Sequence, residues 1–298
     1  MLEFNKIQLS DRERANKFLK RKNYFLCDYC FVDMFIWSNA YNTSIAFDDD
    51  FMYTKTFNEE EGTYFAAPLG DGDFGAAIDK MAEAAHAEGC PLRIYSIPPE
   101  IREKIEAARP DYFNFTDGRD FGDYIYSAES LMYLKGKKLH GKRNHINKFL
   151  SLYDGRWSYE EVTKDNTHEF FDYQLRWCED DPDEFLGETC AVSLALRNMD
   201  ELNIKGGMLR LDGKPIAVTL GSESFDDTFI VHIEKADAQI QGAYQMINQQ
   251  FALHNFEKYR YIDREEDLGI EGLRKAKLSY YPESITENYL AEEKNYGN

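Results

Sequence analysis

The feature that most constrains the fold is an order of elements that occurs twice. In the first half, Thr43–Phe47 and Phe51–Thr56 read as a hairpin around Asp48-Asp49-Asp50, followed by a strand at Tyr64–Ala67. Asp73 is placed to cap a helix whose apolar residues Phe74, Ala77, Ile78, Met81 and Ala85 recur at intervals of three and four. Leu92–Ser96 reads as a strand, Pro98-Pro99 opens a second helix, and Tyr124–Tyr126 reads as a strand. In the second half, Asp212-Gly213 marks a tight hairpin between Gly207–Leu211 and Ile216–Ser222. Strands follow at Thr228–Glu234, Tyr259–Ile262 and Ile285–Leu290, with helices at Ala243–Asn255 and Glu271–Leu278 between them. Two further helices, about 166–178 and 188–199, precede this hairpin. Hairpin, strand, helix, strand, helix, strand in each half implies an α/β layered chain of duplicated topology, divided as 1–127 and 128–298.

Composition narrows the class. The 298 residues include 21 Phe and 20 Tyr, ample for a core, so global disorder is excluded. No apolar run approaches the ~18 residues of a membrane span, and Met1-Leu2-Glu3-Phe4-Asn5-Lys6 lacks a signal-peptide pattern. Five cysteines, an odd number, fit reduced thiols and a cytoplasmic location. The net charge of −19 argues against a surface that coats nucleic acid or anionic lipid throughout.

One stretch reverses the sign. Residues 133–148 carry six Lys/Arg and no acid, Lys137, Lys138, Lys142 and Arg143 among them, with Asn144 and Asn147 beside them. This is a candidate docking strip for phosphate, Lys supplying point charge and Arg a planar fork; the plainer reading is a solvated helix face. His140 and His145 are five apart, which does not suit a metal pair on one helix face. A second stretch, 261–282, starts at a strand end, where α/β sheets place ligands. It contains Asp263, Arg264, Asp267, Gly269 and Gly272, and then Arg274 and Lys277, three apart on a helix. By spacing alone it is an ordinary strand–loop–helix.

Together these stretches carry a resemblance. Leu134-x-Gly136-Lys137-Lys138-Leu139-His140-x-Lys142-Arg143-Asn144-x-Ile146-Asn147-x-Phe149 and Asp267-Leu268-Gly269-x-x-Gly272-Leu273-Arg274-x-x-Lys277-x-x-Tyr280-x-Pro282 resemble the family allied to the C-terminal domain of phosphatidylglycerol lysyltransferase. Trp37, Tyr41, Pro68-x-Gly70-x-Gly72-Asp73 and Asp123-Tyr124-Ile125-Tyr126 extend the likeness over nearly the whole chain. The resemblance implies two tandem domains of the N-acetyltransferase (GNAT) fold, related to aminoacyl-tRNA-dependent peptidoglycan ligases. It implies aminoacyl-tRNA as donor, no tightly bound cofactor, and a lipid headgroup, peptide or small-molecule acceptor. It matches Lys277 to a lysine near the tRNA acceptor end in those relatives, with Arg274 beside it.

The alternative donor is acetyl-CoA, whose pyrophosphate sits on a glycine-rich turn at a helix N-terminus. Here that turn is Gln239-Ile240-Gln241-Gly242-Ala243-Tyr244, and the Tyr244 ring crowds it. A third reading is a binding module that keeps the fold without catalysis. Acyl transfer needs an oxyanion stabiliser and a proton acceptor; Glu234, at a strand end, is a candidate base, though more often such a group is a surface carboxylate. Cys27-Asp28-Tyr29-Cys30 lacks the second pair of a zinc site and reads as buried structural thiols. The acids at 179–184 read as a solvated loop, and His232 as a hydrogen-bonded core histidine. No metal site is expected.

Overall fold

The hairpin signals act through local backbone geometry. In the computed structural model, which describes residues 2–59, 62–178, 182–225 and 227–297, Asp212 and Gly213 both take positive φ, 50° and 77°. A two-residue hairpin turn of type I′ requires that pair, and Leu211 consequently faces Lys214 across it.

The chain forms two compact units, residues 1–122 with 286–298, and residues 123–285. The first runs β1 (Asn5–Lys6), α1 (Arg12–Leu19), α2 (Phe31–Ile36), β2 (Ser44–Phe47), β3 (Phe51–Asn58), β4 (Gly62–Ala66), β5 (Leu69–Gly70), α3 (Phe74–Ala87), β6 (Arg93–Ile97), α4 (Pro99–Ala108) and β7 (Phe113–Asp117). The second runs β8 (Tyr124–Ser127), α5 (Ala128–Tyr133), α6 (His140–Leu152), β9 (Trp157–Glu161), α7 (Thr167–Cys178), α8 (Pro182–Arg197), α9 (Met199–Leu202), β10 (Lys205–Leu211), β11 (Lys214–Glu223), β12 (Thr228–Ala236), α10 (Ala243–Asn255), β13 (Tyr261–Asp263), α11 (Glu271–Leu278) and β14 (Ser284–Ile285). The chain then returns to the first unit as β15 (Tyr289–Glu293).

The sheets, ordered β1-β2-β3-β4-β6-β15-β7 and β14-β8-β13-β12-β11-β10-β9, share one plan. Each has a single parallel pair, β4 with β6 and β12 with β13, among antiparallel neighbours. A helix, α3 or α10, makes the crossover that a parallel pair requires. In α3 the expected stripe is buried at Ala77, Ile78, Met81 and Ala85, and Asp73 accepts from Ala76 N at 3.1 Å.

Three expectations need correcting. The division falls at 122/123 rather than 127/128, because Tyr124–Ser127 pairs with β13 and β14. The single strand expected over 285–290 is two: Ser284–Ile285 pairs with β8, while Tyr289–Glu293 inserts between β6 and β7. Residues 286–298 therefore belong with the first unit. The second unit's core gathers Tyr126, Phe149, Phe229, Phe251, Phe256 and Ile262 from its sheet, α6 and α10. No described helix is long and apolar enough to cross a membrane.

Candidate active site

The sheet of the second unit opens where its parallel pair diverges. Only Thr228–Ile230 of β12 pair with β13, against Tyr261–Asp263. The chain then leaves the sheet through Glu265 and Leu268, both at positive φ (56° and 52°). Arg264, the first residue past β13, enters the opening and donates from Nη2 to Glu234 Oε1 on β12 at 2.9 Å. Asn248 of α10 donates to the other Glu234 oxygen at 2.8 Å. With both oxygens engaged, Glu234 anchors Arg264. Burial opposes the guanidinium's charge, but Glu234 and the flanking tyrosines outweigh it and it stays protonated. Its carbon lies 5.0 Å from the Tyr280 ring centroid and 5.7 Å from that of Tyr126. Its buried Nη1 has no hydrogen-bond partner among the described residues, nor has Asn248 Oδ1.

Lys142, on α6, reaches the same cluster. Its Nζ lies 2.6 Å from Ser279 Oγ and 3.8 Å from the Tyr280 centroid. Burial, then repulsion by Arg264, push its pKa down to about 8, against a smaller opposing pull from Glu234. Lys277 is buried, donating to the backbone carbonyls of Arg264 and, at 3.2 Å, Glu265. Burial first and Arg264 second lower its pKa. The Tyr126 hydroxyl donates to the Lys277 carbonyl at 2.8 Å, so two chain segments are tied beneath Arg264.

The other candidates fall into separate groups. Asp263 is buried at the end of β13, and desolvation raises its pKa to about 7 against the bonds from Glu265 N and Asp123. Asp267 accepts from the Tyr124 hydroxyl at 2.5 Å, from Gly269 N at 2.9 Å and from Arg274 Nε and Nη2 at 2.9 and 2.7 Å. Burial would raise this carboxyl, but those donors, Arg274 first, hold it well below the carboxylate range. Arg274 thus ties the loop that carries Asp267 and Gly269 to α11, the helix that holds Gly272. Arg143 donates to the carbonyls of Leu134 and Gly136, closing the turn before α6. Asn144 bonds His140 at 3.2 Å on the exposed side of α6, where Asn147 also lies exposed, and Lys137 and Lys138 are exposed in the turn before the helix. Sequence reasoning missed Asn248, Tyr126, Tyr280 and Ser279 as site residues; Tyr280 was visible only as part of the Tyr-x-Pro in the second motif.

The turn weighed for a CoA pyrophosphate is covered. Gly242 has φ 87°, and a Cβ there would lie 2.6 Å from the His145 carbonyl oxygen and 3.0 Å from Phe149 Cβ, both of α6. Cys27 and Cys30 are buried thiols. His232 is a buried histidine bonded at 2.9 Å to both Ser222 and Glu265. The acids at 179–181 lie outside the described residues, as do the side chains of 183 and 184.

This architecture is a tandem GNAT-like fold. FemX shares it, with a TM-score of 0.59 at 10% identity over 98% of each chain. A family model described as phosphatidylglycerol lysyltransferase, C-terminal, matches residues 20–292, and the chain belongs to that family. A conserved protein of unknown function from Bacteroides thetaiotaomicron is similar over 99% of this chain and 100% of its own, at 40% identity and a TM-score of 0.91. An uncharacterized protein of Mycoplasmoides gallisepticum is 28% identical over 177 residues, 57% of this chain and 56% of that protein. The match to this curated relative thus spans about half of its length. Family membership supports an acyltransferase-type function.

Proposed function

We propose that the second unit transfers an aminoacyl group from aminoacyl-tRNA to an amine or hydroxyl acceptor on a lipid headgroup, peptide or small molecule. The observation that carries the choice of donor is α6 lying against the first turn of α10. An incoming pyrophosphate would meet the His145 carbonyl oxygen, itself partly negative, where an acetyl-CoA enzyme presents bare N–H groups. That arrangement supports a donor without a CoA pyrophosphate.

Each residue then has a task. Arg264 Nη1, already desolvated and unpaired, is the donor for the oxyanion that develops on the acyl carbonyl. Glu234, Asn248 and Lys277 fix Arg264 in the opening. Lys142, with its pKa near 8, accepts a proton at neutral pH far more readily than an ordinary lysine. Lys137 and Lys138 supply point charge for the donor's phosphates, with Asn144 and Asn147 on the α6 helix that follows them.

Equilibrium binding of charged tRNA tests the reading. The affinity should fall by roughly 0.7–0.9 log units per log unit of salt for each phosphate contact. Absent or salt-independent binding overturns it. A thermal shift with acetyl-CoA but none with tRNA transfers the assignment to an N-acetyltransferase.

A further inference from the structure

Burying an amide with part of its hydrogen-bonding capacity unused is costly, and folds keep few such groups. The second unit keeps one at Asn248. Its helix, α10, turns Ala243, Met246, Ile247, Phe251 and Ala252 into the core, and Asn248, 3% exposed, lies among them. Chemistry fixes which of its polar atoms is which. Glu234, ion-paired with Arg264, only accepts, so the atom 2.8 Å from it is the amide nitrogen and the atom left over is the oxygen. Anchoring Glu234 calls for a donor alone. The Asn248 oxygen is surplus to that task, and it is buried with no hydrogen-bond partner among the described residues.

Arg264 repeats the pattern with the opposite sense. Its Nη2 holds the other Glu234 oxygen at 2.9 Å, and its Nη1 is buried without a partner among the described residues. One carboxylate therefore carries two planar groups, each by one hydrogen bond, with a bare acceptor on one and a bare donor on the other. The two do not satisfy each other. A ligand that completes both must offer an acceptor and a donor close together. An α-aminoacyl ester does so: its carbonyl oxygen accepts, and its α-nitrogen, one carbon beyond the carbonyl carbon, donates. A plain acyl group, acetyl included, brings only the oxygen and leaves Asn248 Oδ1 orphaned. Sites built to bond a substrate N–H reject analogues that lack it for this reason. Arg264 already repels the charge on Lys142, so a third cation is disfavoured here. The α-amine, whose ordinary pKa is about 8, binds in its neutral form, which still has N–H bonds to give.

We propose that Asn248 is a specificity-determining residue. Its Oδ1 accepts from the α-amino group of the donor while Arg264 Nη1 holds the carbonyl oxygen, so the site selects aminoacyl groups over acyl groups that lack the amine. This rests on the aminoacyl-tRNA reading and deepens it, stating what the protein recognises in the acyl group whatever the amino-acid side chain.

Non-hydrolysable acceptor-end minihelices test it, one ending in a 3′-amide-linked alanyl group and the other in a 3′-amide-linked propionyl group. They differ only in the α-amine, and the methyl side chain of alanine fits a side-chain pocket of any size. The wild-type chain should bind the alanyl minihelix at least about tenfold more tightly, the worth of one buried hydrogen bond left unmade. N248A and N248L, each checked for a folded second unit by its melting transition, should bind the two minihelices alike. A side chain that only held Glu234 would, when removed, weaken both minihelices equally and leave the preference standing. If one variant does not fold, the other decides. Equal binding by the wild type, or a preference that survives in the variant, overturns the proposal. Equal binding is also the result if a water fills the place, or if Oδ1 takes its proton from the acceptor substrate instead. The two readings fail separately. If both minihelices bind the wild type equally, with an affinity that falls as salt rises, the role of Asn248 is wrong and the donor stands. If neither binds, thermal shifts with free alaninamide and propionamide decide. Protection by alaninamide alone, lost in N248A, keeps the aminoacyl site and removes tRNA, and protection by neither overturns both.

Discussion

Breaking the ion pair between Arg264 and Glu234 from one side should strongly destabilise the second unit, and the cost can be worked from its surroundings. The two side chains are 13% and 10% exposed. Removing one partner of a buried pair leaves an uncompensated charge and costs about 3–5 kcal/mol. E234A does this to Arg264, and also deprives Asn248 Nδ2 of its acceptor when its Oδ1 is already unpaired. The orphaned amide alone is worth about 1–3 kcal/mol, and the two effects overlap, so about 4 kcal/mol is expected for E234A. R264M should cost about 3–5 kcal/mol for the same reason in reverse. The double variant removes both charges and should cost at least about 1.5 kcal/mol less than the sum of the single changes, the lower end of what close charge pairs show in such cycles. Urea unfolding measures all three. Because the chain has two units, the signal must come from the second: in a W37F background the remaining tryptophans are Trp157 and Trp177, both in residues 123–285. An E234A cost below about 1 kcal/mol, or additive single changes, would refute the claim that these charges are buried against each other.

Asp263 makes stability fall with pH. Its folded pKa is raised from 3.8 to about 7, so its contribution is full below pH 4 and is lost as pH rises to about 7. D263N keeps the acceptor for Glu265 N but cannot ionise, so its melting temperature relative to wild type should climb from pH 5 to pH 8; a constant offset would contradict the shift. Lys137 and Lys138 are exposed, so K137A/K138A should move the unfolding free energy by less than about 0.5 kcal/mol while lowering the salt slope of charged-tRNA binding by roughly one per lost phosphate contact. Replacing Lys277 with Ala leaves the Arg264 and Glu265 carbonyls without their donor and should cost about 1–3 kcal/mol. Transfer should fall along with it through a displaced Arg264, and R264K should show the same kinetic defect without the loss of the Lys277 bonds. A K277A chain of wild-type stability would place Lys277 at the reacting atoms instead.

What the sequence made legible was local. Asp212-Gly213, the α3 stripe and the Asp73 cap each act within one turn or one helix face, and each appears where its residue types placed it. The pairing of β15 with β6 and β7 has no local signal. Tyr289–Glu293 carries no mark of which sheet it joins, because hydrogen-bond partners far away in the chain, on β6 and β7, are chosen by register and edge availability. The helical start gives a smaller case: Ser10-Asp11-Arg12-Glu13 has the spacing of a capping box, but the box is made two residues earlier, by Gln8 with Asp11, whose Oδ2 accepts from Gln8 N at 2.8 Å. Both sets of residues satisfy the motif's arithmetic, and only the entry angle of the chain selects between them.

The same distinction applies to the basic strip, which six cations of one sign made conspicuous in an otherwise acidic chain. Packing divides them. Arg143 is used to close the turn before α6, and Lys135 pairs with Glu129 at 2.8 Å. Lys142 turns inward to Ser279 and Tyr280. Only Lys137, Lys138 and Lys148 remain exposed and without an ion pair among the described residues, Lys138 over the ring of Tyr281 at 5.4 Å. A phosphate-reading surface is therefore at most half of what charge counting suggested, so mutating the strip as a block would confuse two functions. Loss of Lys137 and Lys138 weakens donor docking through long-range charge, which salt screens. Loss of Lys142 removes a desolvated amine, whose effect salt leaves largely intact. The salt dependence of each variant's defect separates a residue that attracts the donor from one that acts on it.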